Sequence, residues 1–183
     1  IHGIRMLRDE DISVILVDEE DNVVGYGEKL DVHRKGLLHR AFSVLLFNDK
    51  GELLIQQRAA GKYHAPELWA NTCCGHPFPG ENVQDASVRR VQEELGFKTE
   101  VEPLTHIYYK KSLDLGMIEH EYVHVFKADY KDQRFCLDPT EVAACEWKTP
   151  QDIRQEMALY PDKYAAWFVH YIENHYEKLF SHL

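Results

Sequence analysis

Cys74-Gly-His-Pro-Phe-Pro-Gly80-Glu81-Asn82, running on into Val83-Gln-Asp-Ala-Ser-Val-Arg89-Arg90-Val91-Gln92-Glu93-Glu94-Leu95-Gly96-Phe97, decides how this chain is read. Residues 75–80 hold two Pro and two Gly, which makes a loop. After it, Val83, Ala86, Val88, Val91 and Leu95 form an apolar stripe at helical spacing, and Gly96 suits the position just past a helix end. Arg90, Glu93 and Glu94 stand at i, i+3 and i+4, so they share one helix face. Carboxylates crowded on one face repel unless cations offset them. One or two such groups, completed by water and phosphate oxygens, are a common way to hold Mg²⁺. A lone Glu-Glu pair is more often a solvated helix surface, so the loop before the helix has to carry the argument.

Outward from this stretch the chain reads as alternating strands and helices. Residues 12–17 are apolar and β-branched, 18–22 form a turn and 23–28 can return as a hairpin partner. Residues 41–47 read as a buried strand, 48–51 as a turn, 52–57 as the returning strand and 69–74 as one further short strand. Strands are expected near 101–110, 119–128 and 143–147. Thr149-Pro150 reads as an N-cap with Pro in the first turn, opening a helix to about residue 159. Pro161 is expected to open the last helix, with Tyr164, Trp167, Phe168, Tyr171, Ile172 and Leu179 on one broad face. The sum is an α/β (α+β) chain: a mixed sheet flanked by helices in an α/β/α sandwich. One domain over residues 1–183 is expected, with 1–9 poorly ordered and 160–183 as the C-terminal helix.

Composition narrows the function classes. With 183 residues and 44% hydrophobic content, the chain can build one ordinary core. No run approaches the roughly 18–20 apolar residues of a membrane span. A basic segment followed by an apolar one is missing from the start, so no secretory signal is expected. The net charge of −10 argues against nucleic acid as a partner. An acidic protein that takes an anionic ligand must gather positive charge at one place. The four cysteines, Cys73, Cys74, Cys136 and Cys145, include no CxxC, so free thiols in a reducing cytoplasm are expected. Ser181-His182-Leu183 is one substitution from a peroxisomal address, and a chance match is the plainer account.

The opening stretch resembles the Nudix box. Gly75, Glu81, Arg89, Val91, Glu93, Glu94, Gly96 and Phe97 fall at its fixed positions. One position departs: where Nudix hydrolases carry the first helix carboxylate, this chain has Arg90. That removes a metal-binding oxygen and adds a positive charge, which speaks against a helix that loads several Mg²⁺ ions to activate water. A single Mg²⁺ clamping a diphosphate without cleaving it is compatible.

Cys74 stands directly before the box, at the end of an apolar strand. Alternation lets one of Cys73 and Cys74 face the site and the other face away, and Cys73 is the structural candidate. His33, His39 and His76 come from separate segments. Glu119 and Glu121, at i and i+2 on an expected strand, point to one side. Imidazoles and carboxylates together suit a first-row divalent metal, but spacing alone cannot bring these segments together.

His33, His39, Cys74-Gly75-His76-Pro77, the box and Glu119-His120-Glu121 occur in the order and near-spacing of type I isopentenyl-diphosphate isomerases. The chain is similar to that family from residue 25 to its end, and Arg90 is usual there. The resemblance implies a Nudix-like fold and the following roles. His33, His39, His76, Glu119 and Glu121 would ligate a Mn²⁺- or Zn²⁺-type ion. Glu94 and the Cys74 backbone carbonyl would hold Mg²⁺ on the substrate diphosphate. Lys29, Arg58 and Lys62 would neutralise that diphosphate, and Trp167 would lie near the reacting carbon. Cys74, Glu121 and Tyr109 would carry protons. The implied partner is a small isoprenyl diphosphate, taken by a monomer or weak homodimer.

The expected reaction moves a double bond from isopentenyl to dimethylallyl diphosphate. Glu121, aided by Tyr109, protonates the terminal CH₂, and Cys74 as thiolate removes a proton from C2. An alkene is a poor base, so the acid must be strong and water excluded. An aromatic face stabilises the cation without trapping it, by about 2 kcal/mol when buried. The rivals are a Nudix hydrolase of a nucleotide or isoprenyl diphosphate, and a non-catalytic metal- and diphosphate-binding module.

Overall fold

The structure is a computed structural model in which residues 12–183 are described; the expectation for residues 1–9 lies outside them. The described chain forms nine strands and four α-helices, with one-turn 3-10 segments at Asp114–Gly116 and Pro161–Lys163. Its centre is β3 (His39–Phe47). This strand runs parallel to β8 (Ile118–Asp129), with His39 opposite Glu121. It runs antiparallel to β6 (Cys73–Gly75), with Ser43 opposite Cys74. On its far side β8 pairs with β7 (Glu102–Ser112), which sets Tyr109 beside Glu121. His39, Glu121 and Tyr109 therefore lie in one row across three strands, and Cys74 enters from β6, a further neighbour of β3.

The rest of the sheet supports this row. β1 (Ser13–Val17) and β2 (Val23–Glu28) form the expected hairpin, which meets β3 at Leu16 and His39. β4 (Leu53–Arg58) pairs with β9 (Val142–Lys148) and with the short β5 (Trp69–Ala70). Alternation along β3 feeds two cores. Phe42, Val44 and Leu46 pack with Val91 and Leu95 of α2 (Val83–Leu95). Leu45 and Phe47 pack with Ile107, Val123 and the helices α3 (Pro150–Leu159) and α4 (Ala166–Phe180). The α/β/α sandwich expected from the sequence is the fold observed.

Three elements differ from the sequence reading. Residues 69–74 form two strands because Asn71 and Thr72 leave the ladder and bond by side chain. Thr72 Oγ1 donates to the Leu54 carbonyl at 2.6 Å and accepts the Leu46 N–H at 2.9 Å. Pro161 opens only a 3-10 turn; Tyr164 then bridges to Trp69, and the helix begins at Ala166. Helix α1 (Lys29–Lys35) was not foreseen, since seven residues are too few for a periodic stripe. Its ends are written in local chemistry: the Glu28 side chain accepts from Leu30 and Asp31 N–H, and Gly36 closes it at φ 69°.

Candidate active site

His33, on α1, bonds the Lys29 carbonyl through Nδ1 at 2.6 Å, and His39 bonds the Leu37 carbonyl through Nδ1 at 3.0 Å. With Nδ1–H committed to the backbone, the Nε2 lone pairs are turned to the same place. His39 Nε2 and His76 Nε2 lie 3.1 and 2.8 Å from Glu121 Oε2. One donor atom from each of His33, His39, His76 and Glu121 fits within 4.8 Å. Burial lowers the pKa of His33 and brings that of His76 to about 4, so both are neutral at pH 7 and can act as ligands. Burial works in the same sense at His39 and is the largest single influence, but the bond to Glu121, that carboxylate's charge, the Leu37 bond and the charge of Glu119 together outweigh it and raise that pKa. Burial also opposes charge on Glu121, yet His39 and His76 hold its pKa well below the usual carboxylate range. Three imidazoles and a carboxylate fit a divalent first-row metal.

Glu119 shares the buried side of β8 but does not belong to that four-donor group. Its Oε2 accepts from the Tyr109 hydroxyl at 2.5 Å, and its Oε1 lies 3.4 Å from His64 Nε2. Tyr109 also reaches Glu121 Oε1 at 3.2 Å, so one hydroxyl touches both carboxylates. Alternation on β7 separates the tyrosine pair as expected: Tyr109 is 3% exposed and Tyr108 46%.

The two cysteines part in the same way. Cys73 is buried in the core beneath α2, whereas Cys74 borders the cavity. Cys74 Sγ lies 3.3 Å from Ser43 Oγ and 3.2 Å from Asn71 Oδ1. Burial pushes its pKa up to about 12, and the Ser43 bond offsets only part of this. Without bound cations a desolvated sulfur thus favours its neutral form, and the thiolate expected from the sequence is the form favoured beside them.

The box is self-braced. Glu81 accepts the Phe78 N–H at 2.9 Å and is gripped by Arg89 at 2.8 and 3.0 Å, which fastens the loop to the helix. Gly75 lets the Phe42 ring pack against the loop, since a Cβ there would lie 2.6 Å from that ring and force a shift. Arg89 also pairs with Glu93 at 2.7 Å. Arg90 lies 3.1 Å from Glu94 and 2.8 Å from Glu141, and Lys62 pairs with Glu141 as well. The positive charge that replaces a carboxylate at position 90 thus offsets the acidic helix face directly.

A cavity of about 700 Å³ opens beside these groups. Lys29, Arg58 and Lys62 border it, as do Glu94, Glu121 and Trp167. Arg58 donates twice to the His64 carbonyl, at 3.1 and 2.9 Å, and its guanidinium lies 5.0 Å from the Trp167 ring centre. His64, Ser43, Asn71, Tyr171 and Glu141 escaped the sequence reading. Asn71 stands just before the Cys74 motif and Tyr171 was read only as part of an apolar helix face; the others have no motif around them, and only the folded arrangement gives these side chains their polar neighbours.

Residues 37–168 match the NUDIX domain family. Solved structures with this architecture include a Deinococcus radiodurans protein (TM-score 0.69, 20% identity, 88% of this chain and 97% of that one). A MutT protein from Methanosarcina mazei is another (TM-score 0.62, 18% identity, 78% and 94%). Isopentenyl-diphosphate Delta-isomerases from Pectobacterium atrosepticum and Burkholderia multivorans are each 44% identical over 155 residues. These cover 85% of this chain and 86% and 88% of the relatives. At that identity, over most of both lengths, the chain belongs to the isopentenyl-diphosphate Delta-isomerase family of NUDIX-domain proteins.

Proposed function

We propose that the chain interconverts isopentenyl and dimethylallyl diphosphate, in isoprenoid biosynthesis. The observation that carries this reading is one cavity bordered at once by a thiol, a pair of carboxylates, an indole and three basic side chains. The diphosphate is the handle. Lys29, Arg58 and Lys62 neutralise it, and Glu94 with the Cys74 carbonyl would hold its Mg²⁺. His33, His39, His76 and Glu121 would hold a second divalent ion, Mn²⁺ or Zn²⁺, with Glu119 as the fifth ligand. Bound there, an ion lowers the proton affinity of the Glu121 carboxyl and makes it a stronger acid.

The chain's own residues then divide the work. Glu121, bonded to Tyr109, gives a proton to the terminal CH₂, and a tertiary cation forms at C3. Trp167 faces that cation without attacking it. Cys74 takes the proton from C2, and the double bond forms between C2 and C3. The forward reaction ends with Cys74 as thiol and Glu121 as carboxylate, which are the states favoured in the substrate-free chain. The reverse reaction starts from them: the thiol protonates C2 and the carboxylate removes a methyl proton. Between forward turnovers a proton must return from the Cys74 side to Glu121. A thiol of pKa about 12 is a weak acid, but its thiolate is a correspondingly strong base, which suits the C2 step.

Two further points belong to this reading. Free thiols at all four cysteines support work in the cytoplasm, and no described helix is long and apolar enough to cross a membrane. The chain acts as a monomer or weak homodimer, with no nucleic acid partner. Incubation with isopentenyl diphosphate and Mg²⁺ tests the reaction against the hydrolase alternative. Dimethylallyl diphosphate is expected, and phosphate or pyrophosphate release without it would reject the proposal.

A further inference from the structure

Asn71 is 1% exposed and does not border the cavity, yet it touches two groups that do. Its Oδ1 lies 3.1 Å from Trp167 Nε1 and 3.2 Å from Cys74 Sγ. Its Nδ2 donates to the carbonyls of Val44 at 3.3 Å and Cys73 at 3.1 Å. The orientation of this amide is not a free choice. An indole N–H can only donate, so the atom facing Trp167 must be the oxygen. Two backbone carbonyls can only accept, so the atom facing them must be the nitrogen. All four hydrogen-bonding positions of the side chain are used.

That fixes the direction of every bond that follows. Oδ1 carries no proton, so the Cys74 S–H points at it. Sγ is then the acceptor for the Ser43 hydroxyl at 3.3 Å, and Ser43 in turn accepts from Tyr171 at 2.8 Å. Thiol and indole come from a strand and a helix that are 93 positions apart in the chain, Cys74 and Trp167. They are tied to one another through a single oxygen.

We propose that Asn71 is a positioning residue that locks the Cys74 thiol and the Trp167 indole into one unit, so that the sulfur, in the protonated state that gives its proton to C2, keeps a fixed relation to the cation-stabilising face across C2 and C3. The proposal rests on the isomerase reading above. Its energetic sense is that misplacing a reacting group by about 1 Å can cost roughly 100-fold in rate. A bland alternative is that Asn71 only plugs the gap between β5 and β6, through its two bonds to backbone. That alternative makes Oδ1 dispensable to the reaction.

The test is Asn71→Ala in the full chain loaded with its metals. Steady-state kinetics are paired with the infrared S–H stretch of Cys74, identified by difference from Cys74→Ser. The expected result is a kcat lower by roughly 10- to 100-fold, a KM within about twofold of the parent, unchanged metal content and an S–H band moved toward the unbonded position. Should Asn71→Ala not fold, Trp167→Phe keeps an aromatic ring at that position and removes the second donor to Oδ1, and the Cys74 band is expected to move there too. A band at the parent position in either variant would overturn the proposal, as would a kcat equal to the parent's in folded Asn71→Ala. A parent that never forms dimethylallyl diphosphate would overturn the functional reading instead, and the infrared result separates the two failures.

Discussion

Burial sets the character of Cys74 more than any neighbour does. Its pKa of about 12 against an ordinary value of 9.0 means that the native state resists ionisation. The stabilisation from keeping a neutral thiol is fully present below about pH 9 and is lost as pH rises toward 12, where the unfolded chain ionises first. In the metal- and substrate-free protein, the thiolate absorbance that disappears in Cys74→Ser is expected only above about pH 10. Appearance of that absorbance near pH 7 would contradict this. Cys74→Ser is expected to lose most of the activity while metal content, measured by elemental analysis, stays intact. Cys73→Ala, on the core side, is expected to retain activity with a modest loss of stability of about 1 kcal/mol. Strand alternation made this division legible in the sequence. The ionisation state was not, because desolvation depends on what α4 and β3 lay over the sulfur, and no motif encodes that.

At the scale of elements, α2 is the part most fully written in the sequence. Its stripe and its Gly96 end are local signals read from the sequence, and the structure adds the Asn82 side chain as its N-cap. Gly96 sits at φ 80°, and a Cβ there would come within 2.4 Å of the Cys136 carbonyl oxygen. Gly96→Ala is therefore expected to cost more than about 1 kcal/mol, read from the midpoint of denaturant unfolding. Helix α3 carries a pH-dependent anchor: Glu156 accepts from Lys148, Lys163 and Tyr164. These bonds, led by that to Lys148, hold its pKa at about 2. A depressed carboxylate contributes above its unfolded pKa and loses that contribution as pH falls through the folded value. Stability is thus expected to drop between about pH 4.5 and 2, and Glu156→Gln to flatten that drop in acid melts. Helix α1 and the break at Asn71-Thr72 were not legible. The first is too short for periodicity, and the second depends on side chains replacing ladder bonds that only the neighbouring strands define.

For the whole molecule, the sheet register does what spacing could not. It sets His39, Glu121 and Tyr109 in a row, brings Cys74 beside Ser43, and lets α1 deliver His33. The resemblance named all of these except Ser43; the parallel pairing of β3 with β8 supplies the physical reason that His39 and Glu121 meet. Glu119 faces the same buried side as Glu121, as i, i+2 spacing implies, and its carboxylate accepts from Tyr109 and lies beside His64. His39→Ala removes one of four clustered donors, so it is expected to lower bound divalent metal and abolish turnover while the cooperative melt persists. The central claim, that the cavity moves protons on an alkene held by its diphosphate, is tested most directly by following isopentenyl diphosphate by NMR in D₂O. Dimethylallyl diphosphate carrying solvent deuterium, with the diphosphate uncleaved, is the expected result. Substrate that binds but gains no deuterium, or that loses phosphate instead, would contradict it.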